Sequence, residues 1–329
     1  MPRMTGSQII KRYRAGARDF TGADLRGANL QAANLNSAIL NWANLQGANL
    51  YGADLQGAQL RGADLSQTDL RSADLRAVCL DHADLTEAKV TSEQLALVAS
   101  VQEAIIPSGP RWDKTEEDNL EGAYLVGANW NGRDLTKVNL RGADLRGAQL
   151  RAARLGRSDL GQADLQEADL READLRGAQL VATNLRWARL GSANLHGADL
   201  TRANLRGADL FLAKLTGASL RKANLRRADL RGVDLRRANL RKADLRKADL
   251  RLGTDLEGAD LRGARLGSVR LGETNLRGVD LRRAELGGTK LREVNLTGAD
   301  LRQARVTARQ LAEAKSLADA RLPEGIELA

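Results

Sequence analysis

ADLRGANLQAANLNSAILNWANLQGANL, residues 23–50, places an apolar residue, almost always leucine, at every fifth position. A five-residue period suits neither a 3.6-residue helix nor a two-residue strand, so the chain must turn a corner about once per unit. The unit A-(D/N)-L-x-x recurs with centres from Phe20 to Val90 and from Leu120 to Leu250. After one extra residue in RLGTD, 251–255, it continues from Leu256 to Val306. Among these centres only Phe20, Val90, Trp130 and Val306 are not leucine.

Two positions per unit accept only apolar or small residues: the centre, and the residue two before it, mostly alanine. The other three take Asp, Asn, Arg, Lys, Gln and Gly freely, which reads as two side chains inward and three in solvent. Arg133 and Asp118 break the small position, and local distortion is expected near both. Burying one leucine contributes about 2 kcal/mol, while ordering its five residues costs more, so no unit can stand alone. Stacking of neighbouring coils must supply the remainder, and both ends need covers.

These units resemble those of pentapeptide-repeat proteins. The resemblance implies an all-β solenoid, a right-handed quadrilateral β-helix with four units and twenty residues per coil, its coils stacked about 4.8 Å apart. Short helical caps are expected at its ends. Residues 1–19 form the N-terminal capping helix in this reading, with Ser7 as N-cap, Ile9, Ile10 and Tyr13 on one face, and Gly16 as the stop. VTSEQLALVASVQEAIIP, 90–107, aligns without a gap onto VTARQLAEAKSLADARLP, 306–323. Thr91 and Thr307 suit N-caps, and Leu95, Val98 and Val101, like Leu311, Ala314 and Leu317, recur at helical spacing. Pro107 and Pro323 prevent continuation. The expected organisation is a first solenoid over 20–107 closed by a helix at 91–104, a linker at 108–119, and a second solenoid over 120–329 closed by a helix at 307–320. A single solenoid with a helical side insertion is the alternative.

The lone Cys79 excludes an internal disulfide and makes no demand for an oxidising compartment. MPRMTGSQIIKRYRAG carries charge where a signal peptide needs an apolar run, and no stretch is long and apolar enough for a membrane span. A cytoplasmic, bacterial protein without membrane contact is expected. CLDHAD, 79–84, gathers Cys79, Asp81, His82 and Asp84, but a zinc site needs more nitrogen and sulfur ligands than one of each. A Cys–His nucleophile pair would need an orienting group and a pocket, and this fold offers convex faces. His196 has no catalytic partner nearby in sequence. With no phosphate-binding loop, dinucleotide fingerprint or H-E-x-x-H motif, the expectation is no enzyme, no cofactor and no metal.

Charge is uneven. The chain has a net charge of +9, and residues 221–251 hold 12 basic residues against 4 Asp. Twenty residues per coil would stack Arg186, Arg206, Arg226 and Arg246 in one column. Allowing for the extra residue after Leu250, Arg221, Arg241, Arg262, Arg282 and Arg302 form another. The residue two before each arginine should lie beside it, so Asp260, Asp280, Asp300 and Asp244 can pair, whereas Asn184, Asn204, Asn224, Ser219 and Asn239 cannot. Such columns suit phosphate. Phe211 and Leu212 form an exposed apolar pair that could mark a protein contact.

The leading expectation is a non-enzymatic structural or protein-interaction scaffold. Its alternative is binding of a polyanion or nucleic acid by Arg186, Arg206, Arg226, Arg246, Arg221 and Arg241. Some pentapeptide-repeat proteins protect DNA topoisomerases by resembling DNA, but such mimicry needs a negative surface, and this chain is basic.

Overall fold

A computed structural model describes residues 2–91, 94–95, 97–101, 104–105, 120–123 and 125–326. Each five-residue unit makes one two-residue corner and one short extended segment. The segments pair in parallel with those one coil away: Asp24 with Asn44, Asn44 with Asp64, Asp64 with Asp84. One coil is therefore four units, and the fold is a right-handed quadrilateral β-helix. Ladder bonds between coils, such as Leu25 N–H to the Asn44 carbonyl at 2.7 Å and Asn44 N–H to the Ala23 carbonyl at 2.9 Å, use the backbone polar groups of each segment.

The core is a stack of leucines lined by alanines. Leu25, Leu45 and Leu65, one above another, are fully buried, as are Leu185, Leu205 and Leu225. Where the small position carries a hydroxyl, it finds an acceptor. Thr183 donates to the Leu160 carbonyl at 2.7 Å, Thr254 to that of Leu230 at 2.6 Å, and Ser158 to that of Leu155 at 2.8 Å. Buried hydroxyls left unbonded would cost about 1–3 kcal/mol each.

The chain forms two compact units, residues 1–149 and 150–329. That division differs from the one expected at 108–119. In the first unit Ile105 pairs with Asp84 on one side and Asn129 on the other, and Asn129 N–H reaches the Ala104 carbonyl at 3.3 Å. Hydrogen-bonded pairing therefore continues from the first block of repeats into the second. The linker, Pro107 and Asp118 lie outside the described residues.

Helix α1, Gly6–Arg14, covers the start of the first unit. Its N-cap is Thr5, not Ser7, because Gln8 stands three residues on and closes a capping box with Thr5. Ile9 is fully buried, and the Tyr13 hydroxyl donates to the Asn36 carbonyl at 2.8 Å. Gly6 permits the contact: a Cβ there would sit 1.8 Å from the Asn29 carbonyl oxygen.

The closing helices are shorter than the apolar spacing predicts. Helix α2 spans only Ala308–Ala312, and helical geometry in the 91–104 segment is described only at 94–95. Beyond each short helix the chain returns to the ladder, with Ser100 paired to Cys79 and Ser316 to Asn295. Apolar residues three apart fit a helix face or the inner side of a coil equally well, and inter-coil hydrogen bonds decide for the coil. The two copies make equivalent bonds. Gln94 Nε2 donates to the Leu70 and Ala73 carbonyls, both at 2.7 Å, and Gln310 Nε2 donates to those of Leu286 and Thr289 at 2.9 and 2.8 Å. Their surroundings differ: Val101 is fully buried, whereas Leu317, its counterpart, is half-buried.

Arg133 causes less disturbance than its size suggests. It is half-buried, burial lowers its pKa, and its N–H still closes the turn to the Trp130 carbonyl at 3.1 Å. The extra residue at 251–255 is absorbed by a three-residue corner in which Leu252 and Gly253 both have positive φ, so Asp255 still pairs with Asp234. No helix among the described residues is long and apolar enough to cross a membrane.

Candidate functional site

Every corner presents two side chains outward, and the residue before the central leucine sets what the first of them does. An aspartate there accepts the N–H of the first corner residue and also its guanidinium. Asp169 takes Arg171 N–H at 3.2 Å and Nε at 2.8 Å on Oδ1, with Nη2 on Oδ2. The bidentate pair holds the carboxyl ionised. Hydrogen bonding from Arg236 lowers the Asp234 pKa to about 2 despite its partial burial, and Arg302 does the same for Asp300.

An asparagine at that position keeps the turn and loses the pair. Asn184, Asn204 and Asn224 accept the N–H groups of Arg186, Arg206 and Arg226 at 3.3, 3.4 and 3.2 Å. Their amides donate elsewhere: Asn184 Nδ2 to Asp164 at 2.8 Å and Asn224 Nδ2 to Asn204 Oδ1 at 3.1 Å. Arg246, next in the column, forms a bidentate pair with Asp244. Among the described residues Arg186, Arg206 and Arg226 form no ion pair, and the Nε atoms of Arg186 and Arg206 are buried without an acceptor.

The second column follows the same rule. Arg262, Arg282 and Arg302 pair with Asp260, Asp280 and Asp300, each with an Nη2–Oδ2 distance of 2.5–2.7 Å. Arg221 and Arg241 stand beside Ser219 and Asn239, and neither is ion-paired among the described residues. The structure brings these two arginines and Arg206 and Arg226 onto adjacent faces. Between the faces runs a corner carrying Arg202, Lys222 and Lys242, all exposed. No acidic residue stands in the middle of either face between Asp164 and Asp244, or between Asp199 and Asp260.

Phe211 and Leu212 are 37% and 50% exposed on a different corner. Sequence reading missed two apolar neighbours within the same unit. Leu252, 62% exposed, lies on the Leu212 corner two coils further on, with Gly232 between them. Trp187, 45% exposed, projects from the corner beside the first arginine column, its ring against Gly207. The signal was present: a large apolar residue at the second corner position with glycine twenty residues later, as Trp42–Gly62, Trp187–Gly207 and Leu212–Gly232 all show. Arg231 lies over the Phe211 ring at 5.4 Å.

Cys79 is half-buried, and burial pushes its thiol pKa up, against thiolate formation. Asp81 accepts from the Ser100 hydroxyl, and His82 Nε2 lies 3.5 Å from Arg61. Among the described residues no three metal-ligating side chains converge. His196 N–H donates to Asn194 at 3.2 Å.

A family model described as pentapeptide repeats matches in eight copies, over residues 19–52, 53–91, 119–151, 148–186, 178–217, 213–251, 252–278 and 270–307. Among solved structures the chain is similar to HetL, a pentapeptide repeat protein involved in heterocyst differentiation regulation from the cyanobacterium Nostoc sp. strain PCC 7120. Identity is 30%, covering 91% of this chain and 98% of HetL, with a TM-score of 0.35. QnrB1, a plasmid-mediated fluoroquinolone resistance protein, matches at 19% identity over 60% of this chain and 90% of its own, with a TM-score of 0.32. A pentapeptide repeat protein from the Arabidopsis thaliana thylakoid lumen matches at 35% identity over 31% and 68%, with a TM-score of 0.22. Among curated proteins none matches.

Proposed function

The chain belongs to the pentapeptide-repeat family, and from that premise we propose that it is a non-enzymatic scaffold whose outward corners bind another protein. The supporting observation is the apolar corner of the second unit, where Phe211, Leu212 and Leu252 stand exposed on a fold that buries the central leucines of its repeat units. Neighbouring arginines frame it: Arg231 lies over Phe211, and Arg251 is held by Asp249. Aromatic residues and arginine are the side chains that most often anchor protein interfaces. The matching partner presents apolar side chains to this corner. The inward positions are occupied by leucine and alanine packing, which leaves corners and faces as the places where recognition can be encoded.

The test is affinity capture from a native lysate at low and moderate salt, comparing the wild-type chain with the Phe211→Ser, Leu212→Ser, Leu252→Ser variant. The expected result is a defined protein retained by the wild type at moderate salt and lost by the variant. Equal retention by both, or no protein surviving moderate salt, would overturn the reading.

A further inference from the structure

We infer that the acid-free basic surface of the second unit, which wraps one corner of the solenoid, binds the phosphate backbone of a nucleic acid. This rests on a different surface from the apolar corner and stands or falls independently of it. Two faces and the corner between them contribute. Arg186, Arg206 and Arg226 lie on one face, Arg221 and Arg241 on the other, and Arg202, Lys222 and Lys242 on the corner.

The arginines of these two faces differ in a specific way from the chain's aspartate-paired arginines. Where aspartate stands two residues before an outward arginine the fold neutralises the cation, as at Arg171, Arg246, Arg262 and Arg282. Over this surface the same position holds Asn184, Asn204, Asn224, Ser219 and Asn239. Asparagine preserves the turn hydrogen bond and withholds the carboxylate, so the backbone is unchanged while the guanidinium is left without its counter-ion. Buried Nε donors of Arg186 and Arg206 lack an acceptor among the described residues.

The footprint favours a polyanion. Adjacent rungs present their cations about 4.8 Å apart, and cations at that spacing repel unless anions lie among them. A phosphate backbone supplies regularly spaced charge to both faces at once, and the affinity comes from counter-ion release. Trp187, on the far side of the Arg186 face, offers an exposed ring next to the phosphate track, the arrangement on which unpaired bases stack. An acidic polypeptide would need a comparable number of carboxylates at matching spacing.

The deciding variant supplies the missing carboxylates, at the loss of the amide bonds from Asn184 to Asp164 and from Asn224 to Asn204: Asn184→Asp, Asn204→Asp, Asn224→Asp. Asp260, Asp280 and Asp300 already stack at successive rungs with paired arginines, so the triple variant repeats an arrangement the chain tolerates. Fluorescence anisotropy with labelled single-stranded and duplex oligonucleotides of about 30 nucleotides, and with labelled polyglutamate of similar charge, would be followed from about 50 to 200 mM salt. The wild type is expected to bind an oligonucleotide with steep salt dependence. The triple variant should bind at least about tenfold more weakly, with a salt slope reduced by about 2–3. Circular dichroism and a melting curve confirm that the variant is folded. A second variant, Arg202→Gln, Lys222→Gln, Lys242→Gln, should weaken binding similarly, and Phe211→Ser with Leu212→Ser should leave it unchanged. The inference is overturned if the wild type fails to bind either oligonucleotide at about 50 mM salt, if the triple aspartate variant binds as tightly as the wild type, or if polyglutamate binds as tightly as the oligonucleotides. Protein capture through Phe211, Leu212 and Leu252 is untouched by any of these results.

Discussion

Asparagine and aspartate are nearly the same size, yet at residues 184 and 244 the exchange of an oxygen for an amide decides whether the following arginine is neutralised. The pairing rule was legible in sequence, because an i, i+2 relation around a corner follows from a five-residue unit. What sequence could not show is that Asn184 turns its amide toward Asp164, since that depends on the neighbouring coil. Where the pair forms, it is pH-sensitive. The Asp234 pKa falls from 3.8 to about 2 on folding, so its contribution is fully present above pH 3.8 and is lost as pH falls through about 2. Acid melting curves should show the Asp234→Asn variant losing less stability than the wild type between about pH 4 and 2. Glycine matters individually at Gly207, where φ is +70° and a Cβ would stand 2.2 Å from the Trp187 ring. Gly207→Ala should cost about 1–2 kcal/mol in denaturant unfolding and shift Trp187 fluorescence to the red as the ring leaves its seat.

At the scale of the element, the repeated V-T-x-x-Q-L-A motif was visible in sequence, and its conformation was not. Apolar spacing at Leu95, Val98 and Val101 fits a helix, but inter-coil bonds such as Ala99 N–H to the Val78 carbonyl at 2.7 Å turn the segment into a rung. Lys315 N–H makes the equivalent bond to Val294 at 2.9 Å. The glutamine is what lets a short helix replace an ordinary corner, because its amide reaches two carbonyls of the preceding coil. Gln310→Ala should therefore expose the 307–321 segment to rapid amide exchange and cost about 1–3 kcal/mol for each carbonyl left without its donor. Gln310→Glu, which keeps the length but supplies no amide donor, should behave like alanine. Recovery of wild-type exchange by glutamate would show that side-chain packing, not the donor, holds the element.

For the whole molecule, charge separates the two levels of information. The net charge of +9 and the basic run at 221–251 are properties of sequence, whereas their effect depends on how many cations the fold pairs. Because the acid-free surface concentrates unpaired cations, melting temperature should rise as salt increases from about 20 to 300 mM. The Asn184→Asp, Asn204→Asp, Asn224→Asp variant should show a smaller rise. A salt response equal in both would place the repulsion elsewhere. By itself the sequence determined the five-residue unit and the identity of the buried leucines and alanines, because a strict five-residue period leaves two positions per unit to face inward; the stacking of residues twenty apart was implied by the family resemblance and is shown by the pairing of segments. Only the tertiary structure decided that pairing continues from Ile105 to Asn129, that the closing segments are rungs, and that two arginine columns meet across the Lys222 corner. Each of those depends on hydrogen bonds and neighbours supplied by another coil, and a local pattern carries no record of what lies one coil away.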